Sequence, residues 1–243
     1  MKNLLLFASL LAASLTVNAA TFQGSTSGVF ENPTGPSGMV TTGEGTNQFT
    51  WGEGAYSHTS LQICGFLCFQ PVAQYHDPSK LTYTGESFNT DVNNQFVAGS
   101  LNFYNGIINS GTQAESVDFL LTIDFSLPSV FSETFTYGFS LDNTTNPNGD
   151  TTTFLNSVPT YFYSHAGNDY YFELLGFGIF DKKGNLTSLT NEIFAREGKG
   201  KTAQLIGQFT SMPSEVPLPA AVWLFGSGLM GFMAMRRRAK AQA

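Results

Sequence analysis

Alternating apolar and polar positions run through much of the chain with a period of two. The clearest stretch is 115–127, where apolar side chains at every second position alternate with Asp118, Thr122 and Asp124. This spacing predicts a β-strand with one buried face, because successive residues of a strand point to opposite sides. The alternation returns at 135–141, beyond Pro128, and predicts a second strand that pairs with the first.

Seven further segments carry strand-forming residues between turns rich in Gly and Asn: 28–31, 48–51, 81–88, 100–105, 170–180, 186–194 and 202–211. Gly176 and Gly178 predict a bulge or bend within 170–180, and 197–200 predicts a turn before the last strand. About ten short strands of this kind predict an all-β fold, an antiparallel β-sandwich or a jelly-roll-like single domain.

The first 19 residues show the order of features found in a secretory signal peptide. Lys2 supplies a positive charge, an apolar run extends over 4–15, and Val17 and Ala19 place small residues before a cleavage point. This order predicts that signal peptidase removes residues 1–19 and that the rest of the chain is exported.

The segment 216–243 contains a second apolar run, followed by positive charges. Residues 220–235 carry no charged side chain. As a helix they would rise about 24 Å, which approaches the roughly 30 Å hydrocarbon core once 217–219 is added. Basic residues beside a span stay cytoplasmic. The pattern predicts a transmembrane helix at about 218–235 and a basic tail at 236–243, with a membrane-stop cluster of Arg236, Arg237 and Arg238.

The same tail resembles a known sorting signal. The sequence VPLP (Val216, Pro217, Leu218 and Pro219), the short apolar run and the arginine cluster together resemble the PEP-CTERM signal of Gram-negative bacteria. In that family an exosortase, a membrane cysteine protease, cuts near a Pro-Glu-Pro motif and sends the protein to the cell surface or the exopolysaccharide matrix. Leu218 stands where the motif has Glu, so the resemblance leaves the cut site open. It implies an exosortase-type protease as a partner.

Between the two signals, residues 20–215 form the predicted exported domain, and this part is strongly acidic. It carries six basic and 18 acidic side chains, a net charge of −12 compared with −7 for the whole chain. Nucleic acid is a poor partner for such a surface, because phosphate binding needs basic residues. The charge is compatible with an exported protein that binds divalent cations.

Four segments of this domain carry a second resemblance: GVFENPTGPSGMVTTGEGTNQFTWGEG, LTYTGESFN, GSLNFYNGIINSGTQAESVDFLLTIDF and YYFELLGFG. They are similar to the choice-of-anchor K domain, an exported bacterial domain that occurs with different C-terminal anchors. The similarity extends from about Ser27 to Ser211. It implies a domain held at the cell surface by its C-terminal signal, and it implies no activity.

Two cysteines, Cys64 and Cys68, lie in the sequence CGFLC within the exported part. An oxidising compartment favours a disulfide that closes this small loop. A zinc pair is the alternative, although no nearby His or second Cys pair completes four ligands. A bond across so short a loop is expected to add little stability, because little entropy is lost on closure.

The sequence DNTTNPNGD at 142–150 places several oxygen-bearing side chains close together after a predicted strand. Calcium takes about six to eight oxygen ligands from loops of this kind, and the candidate ligands here are Asp142, Asn146, Asn148 and Asp150. An Asx-rich hairpin turn is the alternative explanation, because Asn, Asp and Gly favour tight turns. Calcium is therefore the candidate cofactor.

Catalytic signatures are not found in the sequence. It contains no G-x-S-x-G or H-E-x-x-H motif, and its three histidines are scattered among loop-like segments. Exposed aromatic side chains stack on sugar rings, and the candidates for this role are Trp51, Tyr56, Tyr161, Tyr163 and Tyr170. A Phe-rich sandwich, however, places most aromatic side chains in its core.

The sequence therefore predicts an exported, surface-sorted protein without catalytic activity, a component of the cell envelope or of the exopolysaccharide matrix. Its precursor would be anchored in the inner membrane and would face the periplasm before release to the cell surface. The alternative is a calcium-assisted carbohydrate-binding module of the matrix.

Overall fold

The structure is a computed structural model that describes residues 20–65, 68–144, 149–155, 158–165 and 167–213, without the side chains of 57–72 and 213. The described residues form strands and contain no helix, so the predicted all-β class is confirmed. The strands are β1 (Thr21–Thr34), β2 (Thr41–Thr42), β3 (Gln48–Trp51), β4 (Tyr56–Gly65), β5 (Cys68–Tyr75), β6 (Ser79–Gly85), β7 (Ser87–Asp91), β8 (Gln95–Asn105), β9 (Ser116–Leu127), β10 (Phe131–Leu141), β11 (Asp150–Phe154), β12 (Thr160–His165), β13 (Asn168–Phe180), β14 (Leu186–Thr190), β15 (Glu192–Ala195) and β16 (Lys199–Pro213).

These strands form two large antiparallel sheets and a separate hairpin. The six-stranded sheet has the order β15-β11-β10-β9-β1-β7. The eight-stranded sheet has the order β12-β13-β16-β8-β6-β3-β2, with β14 beside β13. Strands β4 and β5 form a two-stranded sheet of their own.

Phenylalanine rings fill the space between the two large sheets. Phe209 of β16 packs against Phe22 of β1 with ring centroids 4.7 Å apart, and Phe135 of β10 lies 4.8 Å from Phe172 of β13. Each pair joins one sheet to the other, and all four side chains are buried. The predicted sandwich-like packing is therefore confirmed, whereas the jelly-roll-like connectivity stays a prediction.

The two best-patterned segments behave as predicted. Strands β9 and β10 are antiparallel neighbours, with Phe119 opposite Tyr137. The apolar positions of β9 are buried at every second residue from Val117 to Phe125. The bulge predicted in 170–180 is also present, because the register of β13 against β16 shifts between Leu174 and Gly176.

Two segments that were expected to be single strands are each divided between the sheets, and this part of the prediction is wrong. The segment 186–194 becomes β14, which pairs with β13, and β15, which pairs with β11. The segment 81–88 becomes β6 and β7, with Glu86 between them. At this corner the Thr26 N–H donates to the Glu86 carbonyl at 2.9 Å. The chain therefore passes from one sheet to the other at Glu86 without leaving the buried N–H of Thr26 unpaired.

Strand β16 runs along the sandwich and defines its two ends. Its first residue, Lys199, pairs with Asn105 of β8, and its last, Pro213, pairs with Asn168 of β13. We call these ends the Lys199 end and the Pro213 end. Ala20 lies at the Pro213 end, because its carbonyl accepts the N–H of Val92 beside β16.

No helix long and apolar enough to cross a bilayer occurs in the described part of the chain. The predicted signal peptide at 1–19, the transmembrane helix at about 218–235 and the basic tail at 236–243 lie outside the described residues.

Candidate functional site

A cavity of about 290 Å³ opens at the Lys199 end of the sandwich. The loop after β8 forms one wall, and the segment before β11 and the turn before β16 form the others. Its lining includes polar side chains and two carboxylates, and the residues are Gly106, Ile107, Ile108, Asn109, Ser110, Gln113, Asn143, Thr144, Asp150 and Glu197.

Asp150 begins β11 and is 4% exposed. Its Oδ1 accepts hydrogen bonds from the backbone N–H and the hydroxyl of Thr144, both at 2.7 Å. Gly149 precedes it with a φ of +103°, and a Cβ there would lie 2.4 Å from the Ala195 carbonyl oxygen. Asp150 therefore ties the start of β11 back to Thr144 at the end of the preceding described segment.

Glu197 lies in the turn between β15 and β16 and reaches the same cavity. Its Oε2 is buried and has no hydrogen-bond partner among the described residues. Burial, and secondarily the charge of Asp150, raise the pKa of the Glu197 carboxyl to about 6. An unpaired oxygen beside a second carboxylate is suited to holding a proton or a cation.

Asn143 fixes the start of the 142–150 segment over the core. Its Oδ1 accepts the indole N–H of Trp51 at 2.8 Å, and its amide donates to the carbonyls of Ala114 and Leu141 at 2.7 and 3.0 Å. Trp51 is 1% exposed. Its role is therefore structural, and it is excluded as a platform for sugar rings.

The structure places only part of the predicted calcium set in this cavity. Asp150 lines it, whereas Asp142 is exposed, and Asn146 and Asn148 lie outside the described residues. Within the described ranges, no three His, Cys, Asp or Glu side chains group in a way that could hold a metal. The calcium site stays a prediction.

Sequence reasoning missed Glu197, because it was assigned only to a turn. The pairing of β11 with β15 sets Asp150 opposite Ala195, two residues before Glu197. This pairing, and not closeness in sequence, brings the two carboxylates together. A single Glu in a Gly-containing turn carries no signal that would have identified it.

The predicted sugar-stacking residues are divided by burial. Tyr170 is 3% exposed and belongs to the core, whereas Tyr56 and Tyr161 are 66% and 52% exposed. Tyr56 faces Tyr75 at the base of the β4–β5 hairpin, with ring centroids 5.3 Å apart. Tyr75 is also 52% exposed and was not among the predicted residues. An exposed aromatic pair therefore lies at the base of the hairpin.

The two cysteines lie near the tip of that hairpin. Cys64 is the second-last residue of β4, Cys68 is the first of β5, and Gly65 pairs with Cys68. Their side chains lie outside the described residues. The disulfide between Cys64 and Cys68 therefore stays a prediction.

Comparison with known proteins identifies a sorting motif in the C-terminal segment. Residues 215–238 match the PEP-CTERM protein-sorting motif, and the match includes the VPLP sequence and the arginine cluster. The motif begins two residues after Pro213, the end of β16. No curated protein matches the chain at a significant level.

The chain therefore carries the membrane-anchored sorting signal of an exported protein. Such a signal is processed by an exosortase, which is a membrane protease. The predicted resemblance of the tail is confirmed at this level, while Val216–Pro219 and Arg236–Arg238 lie outside the described residues.

Proposed function

We propose that this is an exported, surface-sorted protein of the cell envelope or exopolysaccharide matrix, without catalytic activity. Signal peptidase removes residues 1–19, the C-terminal helix holds the precursor in the inner membrane facing the periplasm, and an exosortase-type protease cuts near Pro217–Pro219. The observation that carries the proposal is the PEP-CTERM motif at 215–238, directly after the last strand of the sandwich.

The positions of the described termini are compatible with removal of both signals. Ala20 and Pro213 lie at the same end of the sandwich, and both proposed cuts fall outside the strands. Removal of the two signals would leave every described strand intact. The released protein would carry the net charge of −12 of its 20–215 domain, which favours a soluble state.

The resemblance to the choice-of-anchor K domain agrees with this proposal, because that domain is exported and held by a C-terminal anchor. It adds no ligand and no activity. The proposal therefore assigns the sandwich a structural or interaction role, with the exopolysaccharide as a candidate partner.

The sorting proposal is tested by changing the cleavage motif in the full chain. The double variant Pro217→Ala/Pro219→Ala is expected to accumulate in membranes, while the matched control Pro159→Ala, at an exposed position of the sandwich, leaves for the surface or medium like the natural protein. Immunoblots of membrane, surface and medium fractions measure the distribution. Equal release of both variants would contradict processing at this motif.

A calcium-assisted carbohydrate-binding module is the second candidate function. It is favoured by the buried, unpartnered Oε2 of Glu197 beside Asp150 in the cavity. The exposed pair of Tyr56 and Tyr75 supplies aromatic faces, on which sugar rings stack. Calcium bound at the Lys199 end would lie beside Asp150, one of the predicted ligands.

Calorimetric titration of the released protein with calcium, and then with glycans, tests this second candidate. Binding heat and a raised melting temperature at about 1 mM calcium are expected, and Glu197→Gln should weaken both. The control Glu192→Gln changes an exposed carboxylate on β15 and should leave them unchanged. No heat in the natural protein would rule out the calcium-assisted function.

A further inference from the structure

The turn 127–131, which joins β9 to β10, lies at the Pro213 end of the sandwich. The hydroxyl of Ser129 donates to the hydroxyl oxygen of Tyr163 at 3.2 Å. Tyr163 pairs with Tyr170 of β13, and Tyr170 pairs with Ser211 of β16. This chain of contacts sets the turn at the same end of the sandwich as the last residues of β16, which lies two strands from β12.

Three large apolar side chains are exposed at this end. Val130, in the turn, is 87% exposed, Leu127 is 45% exposed, and Met212, next to the end of β16, is 54% exposed. By contrast, Phe131 of the same turn packs on Phe125 with ring centroids 4.5 Å apart. The turn is therefore fixed to the core by one side chain and presents its other apolar groups outward.

The length of chain beyond Pro213 limits how far this end can lie from a membrane. Six residues, 214–219, separate Pro213 from the uncharged run that starts at Ala220. A fully extended chain of that length spans at most about 25 Å. Since the PEP-CTERM signal anchors the precursor, the Pro213 end is held within about 25 Å of the bilayer.

The distribution of charge indicates which lipid surface fits this end. All six basic residues of 20–215 lie toward the Lys199 end, where β16 begins, and Lys199, Lys201 and Lys80 show this in the strand register. Asp91 and Asp169 lie at the Pro213 end, opposite Thr21 and Met212. Attraction to anionic headgroups is therefore absent at this end, and a neutral lipid surface is the better match.

We propose that the Pro213 end of the unprocessed protein docks on a neutral lipid bilayer, with Val130, Leu127 and Met212 inserted into the interfacial region. This inference rests on the proposed anchoring of the precursor and adds a second, non-covalent contact to it. Docking holds the Val216–Pro219 segment at the membrane surface, where a membrane protease can reach it. After cleavage, only these apolar side chains would keep the protein on the bilayer. The membrane affinity of so few side chains is weak.

The test uses the full chain in phosphatidylcholine nanodiscs, with and without bromine near the lipid headgroups, which quenches nearby tryptophan. Trp223 of the tail reports whether the anchor enters the bilayer, and buried Trp51 adds a constant background that lipid bromine does not quench. Val130→Trp adds a reporter at the docking turn. Lys183→Trp adds a matched reporter in the exposed turn after β13, toward the opposite end. Both positions are exposed, so neither change disturbs the core.

The fluorescence added by Val130→Trp is expected to shift to shorter wavelength and to lose about half its intensity in brominated discs, while that added by Lys183→Trp is unchanged. Quenching of Trp223 without quenching at position 130 would overturn docking and leave the sorting proposal standing. A blue shift at position 130 without quenching would show that protein, such as a second copy, covers the turn, and would also overturn it. An unquenched Trp223 would contradict both proposals.

Discussion

Replacing Phe209 with alanine should remove the centre of the aromatic core. Phe209 lies on β16, is fully buried, and contacts rings from both sheets. Its six ring partners have centroids 4.7 to 5.7 Å away, and they are Phe22, Phe88, Phe96, Phe125, Phe162 and Phe172. Three of these partners, Phe22, Phe88 and Phe125, lie on strands of the six-stranded sheet, so the change removes ring contacts between the two sheets.

The expected loss follows from this packing. A buried Phe→Ala change costs about 3–5 kcal/mol in free energy of unfolding, and paired aromatic rings add to it. With six ring neighbours, we expect about 5 kcal/mol for Phe209→Ala. Domains are stable by about 5–15 kcal/mol in total, so the variant should be close to unfolding. For a domain of this size the melting temperature should fall by about 10–20 °C.

Urea and thermal unfolding of the released protein measure the effect. The control is Phe194→Ala, because Phe194 lies on the edge strand β15 and is 52% exposed. Its loss should cost about 1 kcal/mol or less. Equal losses for Phe209→Ala and Phe194→Ala would refute the conclusion that the rings between the sheets hold the fold together.

Three further predictions concern other parts of the fold. Thr26→Val removes a buried hydroxyl that accepts the hydrogen bond of Tyr83 at 2.9 Å, and should lower the free energy of unfolding by about 1–3 kcal/mol in urea. The raised pKa of Glu197 means that the folded state binds the proton of this carboxyl group more tightly than the unfolded chain does. The resulting stabilisation is complete below pH 4.5 and lost as the pH rises through about 6; Glu197→Gln should lack this loss in unfolding curves across that range. Finally, we expect Cys64 and Cys68 to be bonded, so the intact mass of the unreduced protein should be two hydrogens below that of the reduced one.

The strands with regular alternation could be predicted from the sequence, because one buried face leaves a direct mark on it. In β9, residues Val117 to Phe125 alternate with polar neighbours, and the pairing with β10 followed from the turn between them. The β4–β5 hairpin was missed. Its strands, Tyr56–Gly65 and Cys68–Tyr75, mix Ser, Gln and apolar residues without regular alternation.

Changes of sheet could not be predicted from local pattern. Strand-forming residues continue through Asn191, yet β14 and β15 belong to different sheets. The crossing depends on a distant partner, since the Asn191 carbonyl accepts the N–H of Phe154 at 2.7 Å. The cavity could not be predicted in full for the same reason. Asp150 was identified from its own loop, whereas Glu197 reaches the cavity through the pairing of β11 with β15.

The sorting segment shows the opposite case. Its three parts, VPLP, an uncharged run and an arginine cluster, are contiguous in sequence and need no tertiary contact to be recognised. The match of 215–238 to the PEP-CTERM motif therefore confirmed what the tail alone predicted. What the sandwich itself binds depends on contacts between distant strands, and the sequence carries little information about them.

The central claim is that the protein is a sorted substrate whose two signals are removed. Intact mass spectrometry of the native protein, recovered separately from membranes and from the medium or matrix, tests it most directly. We expect a released form that begins after Ala19 and ends near Pro217–Ala220. A chain intact to Ala243 and found only in membranes would contradict it, and would make the C-terminal segment a permanent anchor.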